Sequence, residues 1–192
     1  MHWKNLFTAA LVIAAPIASM AGTITPPAVP DNLTVRDGSK PFAIGHAVGT
    51  QQYVCLPSGG AAKWVLFGPQ ATVFDDEGEQ IMTHFLSPNP AQSNAPRATW
   101  QDSSRTSAVW AVKVEESDDV RFVEPGAIKW FLLEVVGSQE GAGSSDRLSQ
   151  TTFIQRVNTS GGVAPATECA AAGDVGKTKL VPYTADYVFY KK

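Results

Sequence analysis

Two histidines, His46 and His84, and two cysteines, Cys55 and Cys169, follow the N-terminal stretch and are the first residues to weigh as agents of chemistry. A zinc or copper site needs a third good ligand, and the chain has no HxH or HExxH spacing to supply one, so no metal is expected. His84 is the better functional candidate of the two because it precedes a proline-rich stretch at 87–97. Within hydrogen-bond reach of a carboxylate such as Asp102 it would serve as general acid or base. Serine catalysis lacks a GxSxG elbow. Trp100, Gln101 and Asp102 set an aromatic ring beside an amide and a carboxylate, the chemistry of a sugar-binding or partner-binding patch. Gln155, Arg156 and Asn158 carry polar groups along one strand-like run and are expected to reach a common cleft. The structural alternative for Arg156 and Asn158 is pairing with an acid such as Asp186 or capping a turn.

Two further patterns carry less. The run 141–146 (GAGSSD) opens like a dinucleotide fingerprint, but its third glycine is replaced by Asp146 and a strand follows rather than a phosphate-capping helix. It reads as a hairpin loop, and no cofactor is expected. Asp75, Asp76, Glu77 and Gly78 cluster carboxylates without the ligand alternation of a calcium loop, so they read as a solvated turn.

The elements that would position these residues are strands. From about Asp31 the apolar residues alternate with period two in short runs broken by Gly, Pro and Asp, and no long helical pattern is present. Runs are expected at 51–56, 63–67, 70–74, 80–86, 108–115, 128–136, 149–158 and 183–190, with long loops at 87–97 and 137–146. The fold class is therefore all-β, an antiparallel sandwich or barrel of about eight short strands. Trp64, Trp110 and Trp130 fall in strands and are expected in the core, whereas Trp100, beside the proline-rich loop, is the candidate for exposure.

The N-terminal residues 1–21 have one lysine, Lys4, an apolar run too short to span a bilayer, and Ser19-Met20-Ala21 ahead of Gly22. That order is a cleavable signal peptide. Residues 22–30 form a proline-rich leader and 31–192 a single β domain, long enough to bury roughly two-thirds of its unfolded surface. Export places the protein in the periplasm or outside the cell, where Cys55 and Cys169 are expected to form a disulfide. With 15 Lys and Arg against 18 Asp and Glu and no basic patch, nucleic acid is excluded as a partner. No second apolar run approaches membrane-spanning length.

One set of motifs extends across most of the domain: QYVC (52–55), WVLFGP (64–69), THF (83–85), ATWQ (98–101), GAIKWFLL (126–133), TFIQRVNT (152–159), GGVAP (161–165), Cys169 and VPYTADY (181–187). Together they resemble a family of secreted bacterial and fungal proteins known as a domain of unknown function. Some fungal relatives carry the name malate dehydrogenase, for which this chain offers no nucleotide-binding pattern. Lys129 departs from the family's pattern, which has proline before the tryptophan. The resemblance implies the fold and export and no particular mechanism. The leading functional expectation is a non-enzymatic module that binds a small ligand or a protein partner through His84, Trp100, Gln101, Asp102, Gln155, Arg156 and Asn158. The alternatives are a hydrolase-like envelope enzyme using His84 with a carboxylate, and a structural or stress-related envelope protein.

Overall fold

The computed structural model describes residues 24–142 and 148–192. Residues 1–21, the expected signal peptide, and most of the run 141–146 lie outside the described residues. Eight antiparallel strands follow in order: β1 (Lys40–Ser58), β2 (Ala61–Phe74), β3 (Gln80–Asn89), β4 (Ala95–Asp102), β5 (Ala108–Ser117), β6 (Trp130–Gln139), β7 (Thr151–Gly161) and β8 (Thr178–Lys191). Each pairs with its sequence neighbours, and β8 returns to pair with β1, so the sheet closes into a barrel. Closure resolves the choice between sandwich and barrel. No helix among the described residues is long and apolar enough to cross a membrane.

Alternation sends every second side chain inward. On β8, Tyr183, Ala185, Tyr187 and Phe189 join the interior core, where Val73, Met82, Trp100, Val109 and Ile154 meet them. The intervening Val188 and Tyr190 point outward and are not wasted. With Trp130, Leu132 and Val157 they form a second core on the outer wall, roofed by Val123 and by Leu33 from the short 3-10 turn Asp31–Leu33.

Two expectations need correction. The runs 63–67 and 70–74 are one strand, β2, which passes straight through Gly68-Pro69. Proline cannot donate to a ladder, but the β2–β3 pairing runs only from Gln70 to Phe74, so Pro69 stands where β3 has already diverged. The stretch 87–97 is not a long loop: β3 runs to Asn89, Pro90–Gln92 form a 3-10 turn, and β4 begins at Ala95. Its prolines sit at the hairpin tip, where Pro88 faces Pro96. Ser93 and Asn94, at φ +53° and +62°, make the reversal.

Asp75–Gly78 is the expected turn, with Gly78 N–H donating to Asp75 O and Glu79 N–H to Asp75 Oδ1. Cys55 and Cys169 form the expected disulfide, with a Cα–Cα distance of 5.7 Å. It closes a loop of 114 residues, worth ~4–5 kcal/mol if chain entropy alone is counted. The bridge holds the segment before β8 against β1, and Trp64 Nε1 donates to Thr167 O beneath that segment. Trp64 is consequently half-buried rather than a core residue, unlike Trp110 and Trp130.

Candidate functional site

A cavity of about 290 Å³ lies inside the barrel where β2 separates from β3. Leu66, Phe67, Leu86, Phe131 and Leu133 make most of its wall apolar. Its polar lining comes from inward positions on separate strands: Gln51 on β1, His84 on β3, Trp100 on β4, Arg156 on β7 and Tyr187 on β8. A second, more open pocket shares Gln51, Leu66, Phe131 and Arg156 with the first and continues to Tyr53 and Val163. Arg156 thus lines both pockets.

The aromatic end is tightly built. The His84 ring stacks on Trp100 with centroids 4.1 Å apart, and Tyr187 meets both rings edge-on, at 4.9 and 5.1 Å. His84 Nδ1 lies 2.9 Å from the Thr99 carbonyl. A carbonyl can only accept, so Nδ1 carries the proton and Nε2 is the unprotonated nitrogen of the neutral ring. Burial pushes the His84 pKa down to about 3, with the Arg156 charge adding to the effect and the Thr99 bond opposing it. The imidazole is therefore uncharged at neutral pH.

The cationic end is unusual. Arg156 is only 9% exposed. Its guanidinium lies over the Phe131 ring at 3.8 Å, and Nε and Nη2 donate to the Lys129 carbonyl at 3.2 and 2.7 Å. Burial lowers its pKa, and the groups that oppose the shift are the hydroxyls of Tyr187, Tyr183 and Tyr53. No carboxylate pairs with it among the described residues. The tyrosines are pushed up in turn, Tyr187 and Tyr183 chiefly by burial, and their hydroxyls lie 3.3 Å apart. Two residues of the lining, Gln51 and Trp100, each hold a buried polar atom, Oε1 and Nε1, that has no hydrogen-bond partner.

Of the seven candidate residues, the fold brings His84, Trp100 and Arg156 to one cavity and sends the other four elsewhere. Trp100 is fully buried, contrary to the expected exposed patch. Gln101 alternates away from it on β4 and is half-buried. Asp102 is buried at the strand end, where Oδ1 accepts from Ser104 N–H, Ser104 Oγ–H and Arg105 N–H at 2.8–2.9 Å. It caps the β4–β5 turn, while His84 turns its own N–H to Thr99. Gln155 sits on the outer wall, donating to Leu33 O and accepting from the Tyr190 hydroxyl, each at 2.7 Å. Gln155 and Arg156 thus diverge, because adjacent strand residues face opposite sides.

Asn158 ought by alternation to follow Arg156 inward. It adopts φ +49° at a break in the β7–β8 register, and its amide turns out to donate to Asp186 Oδ2 at 2.7 Å. There it joins a surface cluster: His46 Nδ1 contacts Asp186 Oδ1 at 2.7 Å and His46 Nε2 contacts Asp76 Oδ1 at 2.8 Å.

Sequence reasoning missed Gln51, Tyr53, Phe131 and the tyrosine pair. One signal for the pair was present: Tyr183 and Tyr187 stand four apart in a period-two run, so they had to share a face with Ala185.

Compared with known proteins, residues 36–191 match the family described as "Protein of unknown function (DUF3455)". No curated protein and no solved structure matches the chain.

Proposed function

The chain belongs to this family of unknown function, DUF3455, and from that premise we propose that it is an exported binding module whose barrel takes a small ligand in the cavity beside His84, Trp100 and Arg156. One observation carries the reading. A buried cation without an acidic partner lines the cavity, and Gln51 and Trp100 on the same lining each carry a buried polar atom without a hydrogen bond. Burying a charge without a counter-charge is costly, a cost that a well-placed ligand reduces. Mostly apolar walls with a few convergent polar groups are the usual make-up of a small-molecule site. A role for His84 as a general acid is not supported, since its ring is neutral and its N–H is engaged.

The test is a melting-temperature screen of small neutral and charged aromatic and short-chain compounds, run on the wild-type protein and on Ala98→Phe, which places a ring in the cavity wall. A ligand of the native state raises the melting temperature by mass action. At least one compound is expected to do so in the wild type and to lose the effect in Ala98→Phe. No shift with any compound, or shifts that Ala98→Phe leaves intact, would remove the cavity from consideration.

Export rests on the N-terminal sequence and is consistent with the Cys55–Cys169 disulfide. Residues 1–21 are proposed to be removed and 22–30 to lead into the domain. Mass spectrometry of the protein recovered from the cell exterior or periplasm is expected to give an N-terminus at Gly22. An intact Met1 would contradict cleavage.

A further inference from the structure

Resting on the cavity reading, we infer that the ligand is a small monocarboxylic acid with an apolar body, its carboxylate held by Arg156. A guanidinium buried without a counter-ion is the least comfortable group in the barrel. Burying a charge is costly unless the charge is paired. Its present partners are one carbonyl, the face of Phe131 and tyrosine hydroxyls, which orient it and soften its desolvation without supplying an opposite charge. A carboxylate supplies that charge and matches the planar donor fork of arginine, two oxygens to two N–H groups. Two bonds to Lys129 O engage one edge of a group that has five N–H donors. The contact with Phe131 fixes its plane in advance, so little order is lost when an anion arrives.

The remaining features narrow the class. Arg156 is the one cation on the cavity lining, and His84 beside it is neutral, so a single negative charge is matched and a second would be buried unpaired. Gln51 is adaptable, since rotation about its terminal bond presents either oxygen or NH2. The body is apolar because the walls are Leu66, Phe67, Leu86, Phe131 and Leu133. It is small because about 290 Å³ falls at the lower limit of ligand pockets, roughly 300–1,000 Å³, which suits one ring or a short chain.

The probes are two matched pairs, phenylacetate with phenylacetamide and hexanoate with hexanamide, titrated calorimetrically into the full-length mature protein at neutral pH. The acid of at least one pair is expected to bind at least tenfold more tightly than its amide, and Arg156→Met to erase the difference. If Arg156→Met fails to fold, the acid-against-amide contrast in the wild type decides alone. An amide binding as tightly as its acid overturns the inference while leaving the cavity as a ligand site. Acids that fail to bind while a neutral compound of the melting screen does so have the same meaning. Silence from both the titrations and the screen overturns the inference and the cavity reading together.

Discussion

His46 and His84 lie on the same sheet, on β1 and β3, and their environments drive them in opposite directions. His84 points into the barrel, 3% exposed, stacked on Trp100 and held neutral with its pKa near 3. His46 points out, with its side chain 41% exposed. Hydrogen bonds to the carboxylates of Asp76 and Asp186 raise its pKa above the ordinary value. Neither residue type nor strand position distinguishes the two, so the difference comes from which side of the sheet each faces. Inside, desolvation penalises the charged form; outside, two carboxylates reward it.

The interior should answer most strongly to perturbation. Trp100→Ala removes the ring beneath His84 from a fully buried site, and the expected loss is about 3–5 kcal/mol. It would be read as a lower urea midpoint at unchanged slope. Trp100→Phe sharpens the point, because it keeps most of the ring and removes the unpartnered N–H. Its cost is expected to be well below that of alanine. Equal losses in the two variants would mean that the indole N–H has a partner after all.

Acid is the next perturbation. His84 has a folded-state pKa depressed from 6.5 to about 3, so between those values the unfolded chain binds a proton that the folded chain refuses. Its contribution to stability is complete above pH 6.5 and is lost as the pH falls towards 3. The slope for one such proton is about 1.4 kcal/mol per pH unit, hence about 2 kcal/mol by pH 5. Carboxylates held low by their partners, such as Glu116 beside Lys113 and Lys129, weaken the fold in the same direction at lower pH. The measurement is therefore a difference, wild type against His84→Asn, in stability from pH 7 to pH 5. Parallel curves would mean that His84 is not held neutral by the fold.

This inside–outside distinction is also where the sequence stopped being legible. Period-two alternation, turn residues and the lone cysteine pair were enough for an all-β chain with a disulfide, because those signals are local or arithmetical. Strand β4 was hidden because proline is a strong break signal, and Pro88, Pro90 and Pro96 cluster at a hairpin tip where they cost the ladder little. Gly68-Pro69 looked like a turn for the same reason, although β2 runs on and only its pairing with β3 ends. For the candidate site, the expected common cleft of Gln155, Arg156 and Asn158 fails because alternation parts Gln155 from Arg156, and nothing in the run said which of the two faced the cavity. A barrel with a second core on its outer wall makes both faces of β7 and β8 apolar, which erases the usual contrast. Asn158 was illegible for a different reason, since its outward turn depends on a register break that two strands make together.

The smallest effect belongs to the outer histidine and completes the comparison. A folded-state pKa raised above 6.5 means that the contribution of His46 is fully present below pH 6.5. It is lost as the pH rises through the raised value, the opposite sense to His84. Both carboxylates lie within 2.8 Å of the ring, but Asp76 is almost fully exposed and Asp186 is not, so water screens the first contact more than the second. Exposed ion pairs of this kind contribute about 0–1 kcal/mol, and His46→Ala is expected to stay within that range at pH 6 and to fade as the pH rises through the raised pKa. Proton NMR titration of the ring gives the more sensitive readout: a midpoint above 6.5 in the wild type, lowered in both Asp76→Asn and Asp186→Asn. Asp186 also accepts from the Asn158 amide, so Asp186→Asn weakens a charge-assisted bond beside the β7–β8 register break and should shift resonances there, whereas Asp76→Asn should act at the β2–β3 turn. A wild-type midpoint at or below 6.5 would show that the two carboxylates do not hold the proton, and the contrast with His84 would reduce to burial alone.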